Sequence, residues 1–154
     1  MQVEAVETSA HPTLFVSRTS SMDPDDISRV MGEAFAVIGA FFSCAGIAPT
    51  GPPLAIYRSY EGDTLGFDVA LPVIAADQEK AEGEIKAGET PAGRALKTVH
   101  KGPYAKLRET YDALETEMTR VDLPRPNFAW EVYINDPDDT PEEDLLTEIY
   151  MPIA

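Results

Sequence analysis

The order of apolar and polar positions divides the chain into two similar halves. Residues 13–20 (TLFVSRTS) form a β-prone run. Residues 21–26 then read as a helix start. Asp23 takes the N-cap, Pro24 the first helical position, and Asp25 and Asp26 complement the positive helix end. Apolar residues recur at Ile27, Val30, Met31, Ala34, Phe35, Ile38, Phe41, Phe42 and Ala45, the three-and-four spacing of an amphipathic helix over 25–46 that stops at Gly46. After a Gly/Pro-rich turn at 49–53, LAIYRSY (54–60) reads as a strand, and residues 61–63 as a turn. Residues 64–74 alternate Leu65, Phe67, Val69 and Leu71 with smaller or polar positions, as a half-buried strand does. The polar stretch 75–93 links the halves, with room for a short edge strand. ALKTVHK (95–101) is again strand-like. Pro103 opens a second helix over 103–121, with the stripe Tyr104, Leu107, Tyr111, Leu114, Met118 and Val121. Residues 127–135 form a strand, 136–144 a polar loop, and 145–153 the closing strand.

Matched landmarks repeat. Pro24 and Pro103 stand 79 residues apart, Tyr57 and Tyr133 76, and Pro72 and Pro152 80. The reading is a single domain over 1–154 with repeat halves at about 13–75 and 90–154. A helix laid on three strands leaves a helix flank and a sheet edge uncovered, and two such units side by side cover both. This predicts an α+β fold: a tandem β-α-β-β repeat with pseudo-two-fold symmetry, an antiparallel sheet with two helices on one face, and a central ligand groove on the axis.

Charge narrows the function. Twelve Lys and Arg against 27 Asp and Glu give a net charge of −15, and both halves are acidic. A phosphate-backbone binder needs a clustered basic footprint, so no direct nucleic-acid binding is expected, and docking on anionic membranes is disfavoured. The apolar stretch 27–47 is interrupted by Arg29, Glu33 and glycines and is read as no membrane span. The first twelve residues lack the pattern of a signal peptide. One cysteine, Cys44, allows no internal disulfide and fits a cytoplasmic protein; its apolar neighbours suggest a small core residue. Two separated histidines and one cysteine make no zinc-spaced set, and phosphate-cradling or nucleophile-elbow motifs are absent, so neither metal nor cofactor is expected.

Candidate chemistry concentrates in the C-terminal hairpin. Strand alternation puts Glu131 and Tyr133 on one face, with Trp130, Val132 and Ile134 on the other. Glu148 and Tyr150 likewise share a face opposite Ile149 and Met151. Two Glu-x-Tyr units on paired strands would then line one surface, and carboxylates in an aromatic wall attract a lipophilic cation. A solvated sheet face alternates Glu and Tyr in the same way. The doubling, and Tyr57 at the equivalent place in the first half, leave pocket and solvated face level. Asp68 falls near the repeat position of Glu148 and reads as solvated or locally paired. Tyr60 and Tyr104 are rim aromatics, or in the case of Tyr104 a core member of the helix stripe. His100 has no triad partner in sight and reads as structural, Phe35, Phe41 and Phe42 as core, and the acidic loop 136–144 as solvated.

The run HKGPY (100–104), the helix with Leu107, Tyr111 and Leu114, WEVYINDP (130–137) and TEIYMPI (147–153) resemble the GyrI-like domains, also called AraC-type or bacterial transcription activator effector-binding domains. APTGPPLAIY (48–57) resembles the family's first hairpin, so the likeness covers nearly the whole chain. The resemblance implies a tandem β-α-β-β fold with a central pocket. It also implies binding of hydrophobic, cationic or polarised small molecules through a buried Glu and a cage of aromatics, as in multidrug-responsive regulators. By motif match Glu131, Tyr133, Glu148 and Tyr150 fall on the pocket strands; which glutamate faces inward varies between members. Tyr57, Trp130 and Tyr104 complete the expected ligand-binding set. Family regulators carry an N-terminal helix-turn-helix. About twelve residues precede the first predicted strand here, so a stand-alone domain in effector binding, sequestration, or drug or toxin resistance is expected. Stand-alone relatives imply two alternatives. One is a hydrolase of strained, cyclopropane-bearing toxins, with Glu131, Glu148 and Tyr133 as its catalytic candidates. The other is a gyrase-inhibitor-like role through a protein partner. The sequence leaves the oligomeric state open.

Overall fold

The structure, a computed structural model, describes all residues except Met1, Arg125, Asn127 and Ala154, with side chains save those of residues 59–61. The expected strand start at Asn127 and the proposed rim ring of Tyr60 therefore lie outside what is described. The strands are β1 (Val3–Thr8), β2 (Pro12–Ser21), β3 (Leu54–Glu61), β4 (Thr64–Pro72), β5 (Lys86–Glu89), β6 (Gly93–Lys101), β7 (Ala129–Tyr133) and β8 (Leu146–Pro152). The helices are α1 (Pro24–Ala45) and α2 (Leu107–Arg120), with short 3-10 segments at Ala75–Lys80, Tyr104–Lys106 and Glu142–Asp144.

The eight strands form one sheet in the order β1-β6-β8-β7-β3-β4-β2-β5, with every neighbouring pair antiparallel. Three strands of each half meet at the central β3–β7 pair. The outermost strands are exchanged. β1 precedes β2 in the chain but pairs with β6, and β5 precedes β6 but pairs with β2. Each half thus covers the other's exposed strand edge. β5 fills the place expected for a short edge strand. Gly88 lets it lie close, because a Cβ there would stand 2.7 Å from the ring of Phe15 on β2. β1 was not anticipated. Glu4 and Glu7 interrupt its apolar positions, and none of its residues is fully buried.

The start of α1 follows its sequence signals. Asp23 is extended, and its side chain accepts a 2.9 Å hydrogen bond from the Asp25 N–H. At the other end Gly46, with φ of 69°, takes the left-handed conformation, and Ile47 N–H reaches back to the Phe42 carbonyl. Replacing Asp23 by Ala should cost about 1 kcal/mol, lowering the melting temperature by about 2–4 °C in a chain of this size; calorimetry checks it. Among the described residues, α1 is the one helix long and apolar enough, by length and composition, to cross a membrane. Its stripe Val30, Ala34, Ile38 and Phe42 is instead buried on Leu14, Val16, Ala55, Phe67 and Val69 of the sheet. Cys44 lies off that stripe and is exposed, which corrects its assignment to the core. It stands two residues beyond Phe42, about 200° around the helix.

α2 buries Leu114 and Met118 on Leu96, Ala129, Ile149 and Met151. It begins at Leu107 rather than Pro103, because a 3-10 turn intervenes. Val121 is 44% exposed and lies past the helix end, so it is no part of the stripe. In the register of β3 and β7, Ala55 stands opposite Glu131 and Tyr57 opposite Ala129. These residues share the face that carries both helices, as expected. The same register puts the approximate two-fold axis between Ala55 and Glu131, which are each other's repeat mates.

Candidate functional site

The site grows out of the alternation along β7. Ala129, Glu131 and Tyr133 turn toward the helices, while Trp130 and Val132 turn away. At the axis the helix face offers a small side chain, Ala55, from one half and a carboxylate, Glu131, from the other. Glu131 is 2% exposed. Three phenols donate to it: Tyr111 to Oε2 at 2.6 Å, Tyr133 to Oε1 at 2.7 Å and Tyr57 to Oε1 at 3.3 Å. They come from α2, β7 and β3, so the carboxylate ties both halves together. Among the described residues no lysine or arginine forms a salt bridge with it.

Burial pushes the Glu131 carboxyl above the ordinary glutamate range, against the hydrogen bonds from Tyr111, Tyr133 and Tyr57 and the field of His100, which pull it down. Burial, then the adjacent Glu131 charge, raises the Tyr133 phenol well above its usual value. The Tyr133 phenol is therefore a neutral donor at physiological pH. Around the three phenols lies an aromatic wall. Phe35 of α1 meets the Tyr133 ring edge-on at 5.9 Å, and Tyr104 does the same at 5.7 Å. Tyr104 is 36% exposed, at the outer edge of this cluster, and so is no buried core member of the helix stripe. Burial, then Asp136 and Glu131, raises its phenol as well.

His100 is structural, as read. Its Nε2 lies 3.0 Å from the Pro103 carbonyl, which can only accept, so Nε2 carries the proton; Nδ1 lies 2.6 Å from Thr110 Oγ1. Both ring nitrogens are engaged in holding the turn before α2.

The two Glu-x-Tyr units do not line one surface, which corrects that expectation. On β8, Glu131 stands opposite Ile149, while Glu148 stands opposite Val132 and Tyr150 opposite Trp130. A one-residue offset in register places a side chain on the other face. Glu148, Tyr150 and Trp130 therefore lie on the face away from the helices. There the Trp130 ring stacks on Tyr150 at 5.0 Å and on Phe128 at 5.9 Å. Glu148 accepts from the Tyr150 hydroxyl at 2.9 Å and pairs with Lys97 at 3.1 Å. Its repeat mate Asp68, on the same face, is paired locally, with Ser17 at 2.6 Å and with Arg58. Both of these carboxylates are already matched by cations.

The structure thus brings together Glu131, Tyr133, Tyr57 and, at the rim, Tyr104. Sequence reasoning missed Tyr111, taken for packing alone. The available signal was that a phenol on a buried stripe needs a partner for its hydroxyl.

A two-fold sheet-and-helix body with one buried carboxylate among phenols on its axis is the architecture of a small-molecule-binding domain. The chain belongs to the GyrI-like family: its sequence matches the GyrI-like small molecule binding domain over residues 1–154. No curated protein matches it in sequence. Among solved structures it is similar to the EcmrR C-terminal domain, at 22% identity and a TM-score of 0.83, covering 99% of this chain and 97% of that one. It also resembles EcmrR in its complex with DNA, at 23% identity and a TM-score of 0.83; there it covers 99% of this chain but spans only 57% of EcmrR. SAV2435, solved bound to tetraphenylphosphonium, is 12% identical with a TM-score of 0.70, covering 100% of this chain and 94% of that one. At these identities the likeness is one of fold.

Proposed function

We propose that this domain binds lipophilic monocations in the groove between α1 and α2. Glu131 is the counter-charge, Tyr57, Tyr111, Tyr133 and Phe35 are the walls, and Tyr104 is the rim. The observation that carries the reading is a buried carboxylate that three phenols hold and that, unlike the buried Asp68, no lysine or arginine among the described residues pairs with. An unmatched buried negative charge at a symmetry axis is costly for folding alone and favourable for a cation that enters. The tetraphenylphosphonium complex of SAV2435 supports the same class of ligand.

The geometry also selects among cations. A carboxylate has about four lone-pair sites, and three take phenol hydrogens here. An ammonium or guanidinium would lose its hydration with one acceptor to replace it. A phosphonium or quaternary ammonium has no N–H to satisfy and meets the ring faces directly.

The test compares two ions of one shape and opposite charge. Calorimetric titration should show binding of tetraphenylphosphonium and none of tetraphenylborate. Equal affinity for both would sink the proposal. Incubation with a strained cyclopropane-bearing compound, with chromatography for a ring-opened hydrolysis product, separates a binding protein from a hydrolase that uses the same carboxylate.

The raised Glu131 carboxyl sets a pH dependence. Protonation removes the counter-charge, so phosphonium affinity should fall as pH drops through a range above that of an ordinary glutamate. The stability sign is the opposite. With its folded pKa above the unfolded one, Glu131 contributes stability below the ordinary glutamate pKa, and that contribution is lost as pH rises through the raised value. The melting temperature of the wild type minus that of Glu131→Gln should therefore decline from pH 4 to pH 8. A difference that stays flat would mean the carboxylate titrates normally.

A further inference from the structure

One strand over from Tyr133, on the helix face, lies a buried polar group that the protein itself leaves unused. Thr147 of β8 is 0% exposed, and its Oγ1 is the only buried side-chain nitrogen or oxygen among the described residues that lacks a hydrogen-bond partner. An orphaned buried hydroxyl typically destabilises a fold measurably, while valine would fill the same shape without that penalty. Thr98, equally buried on the neighbouring β6, shows the usual solution: its hydroxyl donates to the Gln2 carbonyl at 2.9 Å.

The position of Thr147 is specific. It stands directly opposite Tyr133 on β7 and His100 on β6, in one cross-strand row on the helix face. Directly opposed side chains in such a row lie about 5 Å apart at Cβ. Both neighbours are committed elsewhere. The Tyr133 hydroxyl donates to Glu131, and the His100 nitrogens are held by Thr110 and the Pro103 carbonyl. No lateral partner remains for Thr147. The segment above the row is the short turn into α2. It follows Gly102, whose φ of 130° few other residues adopt, and it carries Tyr104, the outermost ring resting on Tyr133.

We infer that Thr147 is a ligand-contact position, where its hydroxyl takes a hydrogen-bonding oxygen or amide carried by a cation whose charge lies against Glu131. The assignment rests on the groove reading above and narrows it. The preferred ligand is not a bare hydrophobic cation, but one with a carbonyl, amide or hydroxyl group within reach of the row Tyr133–Thr147–His100. Tyr104 must swing off Tyr133 for that arm to enter.

Two probes test this: (3-carbamoylpropyl)triphenylphosphonium and (4-methylpentyl)triphenylphosphonium, which match in charge and shape and differ in the amide. Thr147→Val should weaken the carbamoyl probe roughly three- to tenfold, the range of one neutral hydrogen bond, and leave the alkyl probe within about twofold. Thr147→Ser, which keeps the hydroxyl, should restore the difference. The Thr147→Val protein without ligand should melt at or above the wild-type temperature. Equal effects on the two probes, no effect on either, or a clear fall in melting temperature showing the hydroxyl already bonded within the protein would each overturn the assignment. If neither phosphonium binds the wild type, the groove reading itself falls and takes this one with it.

Discussion

Glu131→Gln should weaken tetraphenylphosphonium by at least tenfold while leaving the fold intact. A cation whose centre lies about 6 Å from the carboxylate, behind the phenols, feels about 3 kcal/mol of attraction at an effective dielectric near 20. Because 1.4 kcal/mol is tenfold, the loss should fall between about tenfold and a hundredfold. The substitution is close to isosteric. The amide oxygen can still accept from Tyr133 and Tyr57, and the amide N–H can donate to Tyr111 once that phenol rotates. Discrimination between tetraphenylphosphonium and tetraphenylborate should shrink by the same factor. Glu148→Gln serves as the contrast. Glu148 lies on the opposite face and is already paired with Lys97, so phosphonium affinity should stay within about twofold. If the two substitutions act equally, Glu131 only shapes the groove; if Glu148→Gln acts alone, the ligand binds on the other face of the sheet.

How much of this was legible in the sequence depends on what each feature rests on. α1 was legible because its signals are local: a capping Asp23, Pro24, and a stripe whose spacing survives any tertiary arrangement. Tyr57 and Tyr133 were legible as repeat mates because the offset is a property of the chain. The faces of β7 and β8 were each read correctly, yet their relation was not. It depends on a register that places Ile149, not Glu148, opposite Glu131, and nothing in either strand alone fixes that number. β1 was invisible for a different reason. Its strand character comes from pairing with β6 across the repeat boundary, and a half-solvated edge needs no apolar run. Tyr111 and Thr147 show a third limit. A helical stripe and a buried strand position predict burial, but whether a hydroxyl there is bonded depends on what the other half of the molecule places against it.

Phe42→Ala should be the most destabilising of the substitutions considered, at about 3–5 kcal/mol, the usual cost of emptying a phenylalanine site in a core. In a chain of this size that lowers the melting temperature by about 6–20 °C. The ring is 4% exposed and packs in the first half's core with Ile38, Phe67 and Val69, near the end of α1, where neighbours fixed by the Gly46 cap have little freedom to collapse into the space. Phe35, two turns earlier on the same helix, makes the informative pair. It is half-buried and its ring stands edge-on to Tyr133 in the groove wall. Phe35→Ala should therefore cost less stability, in proportion to the smaller area it buries, and should weaken phosphonium binding severalfold. Phe42→Ala, measured well below its own melting temperature, should leave that affinity unchanged. Thermal melts and titrations of the two variants separate a ring that holds the sheet from a ring that faces the ligand. A Phe42→Ala protein melting within a degree or two of the wild type would mean that α1 does not seat its stripe on the sheet as described. The groove between the helices would then lose one of its two walls.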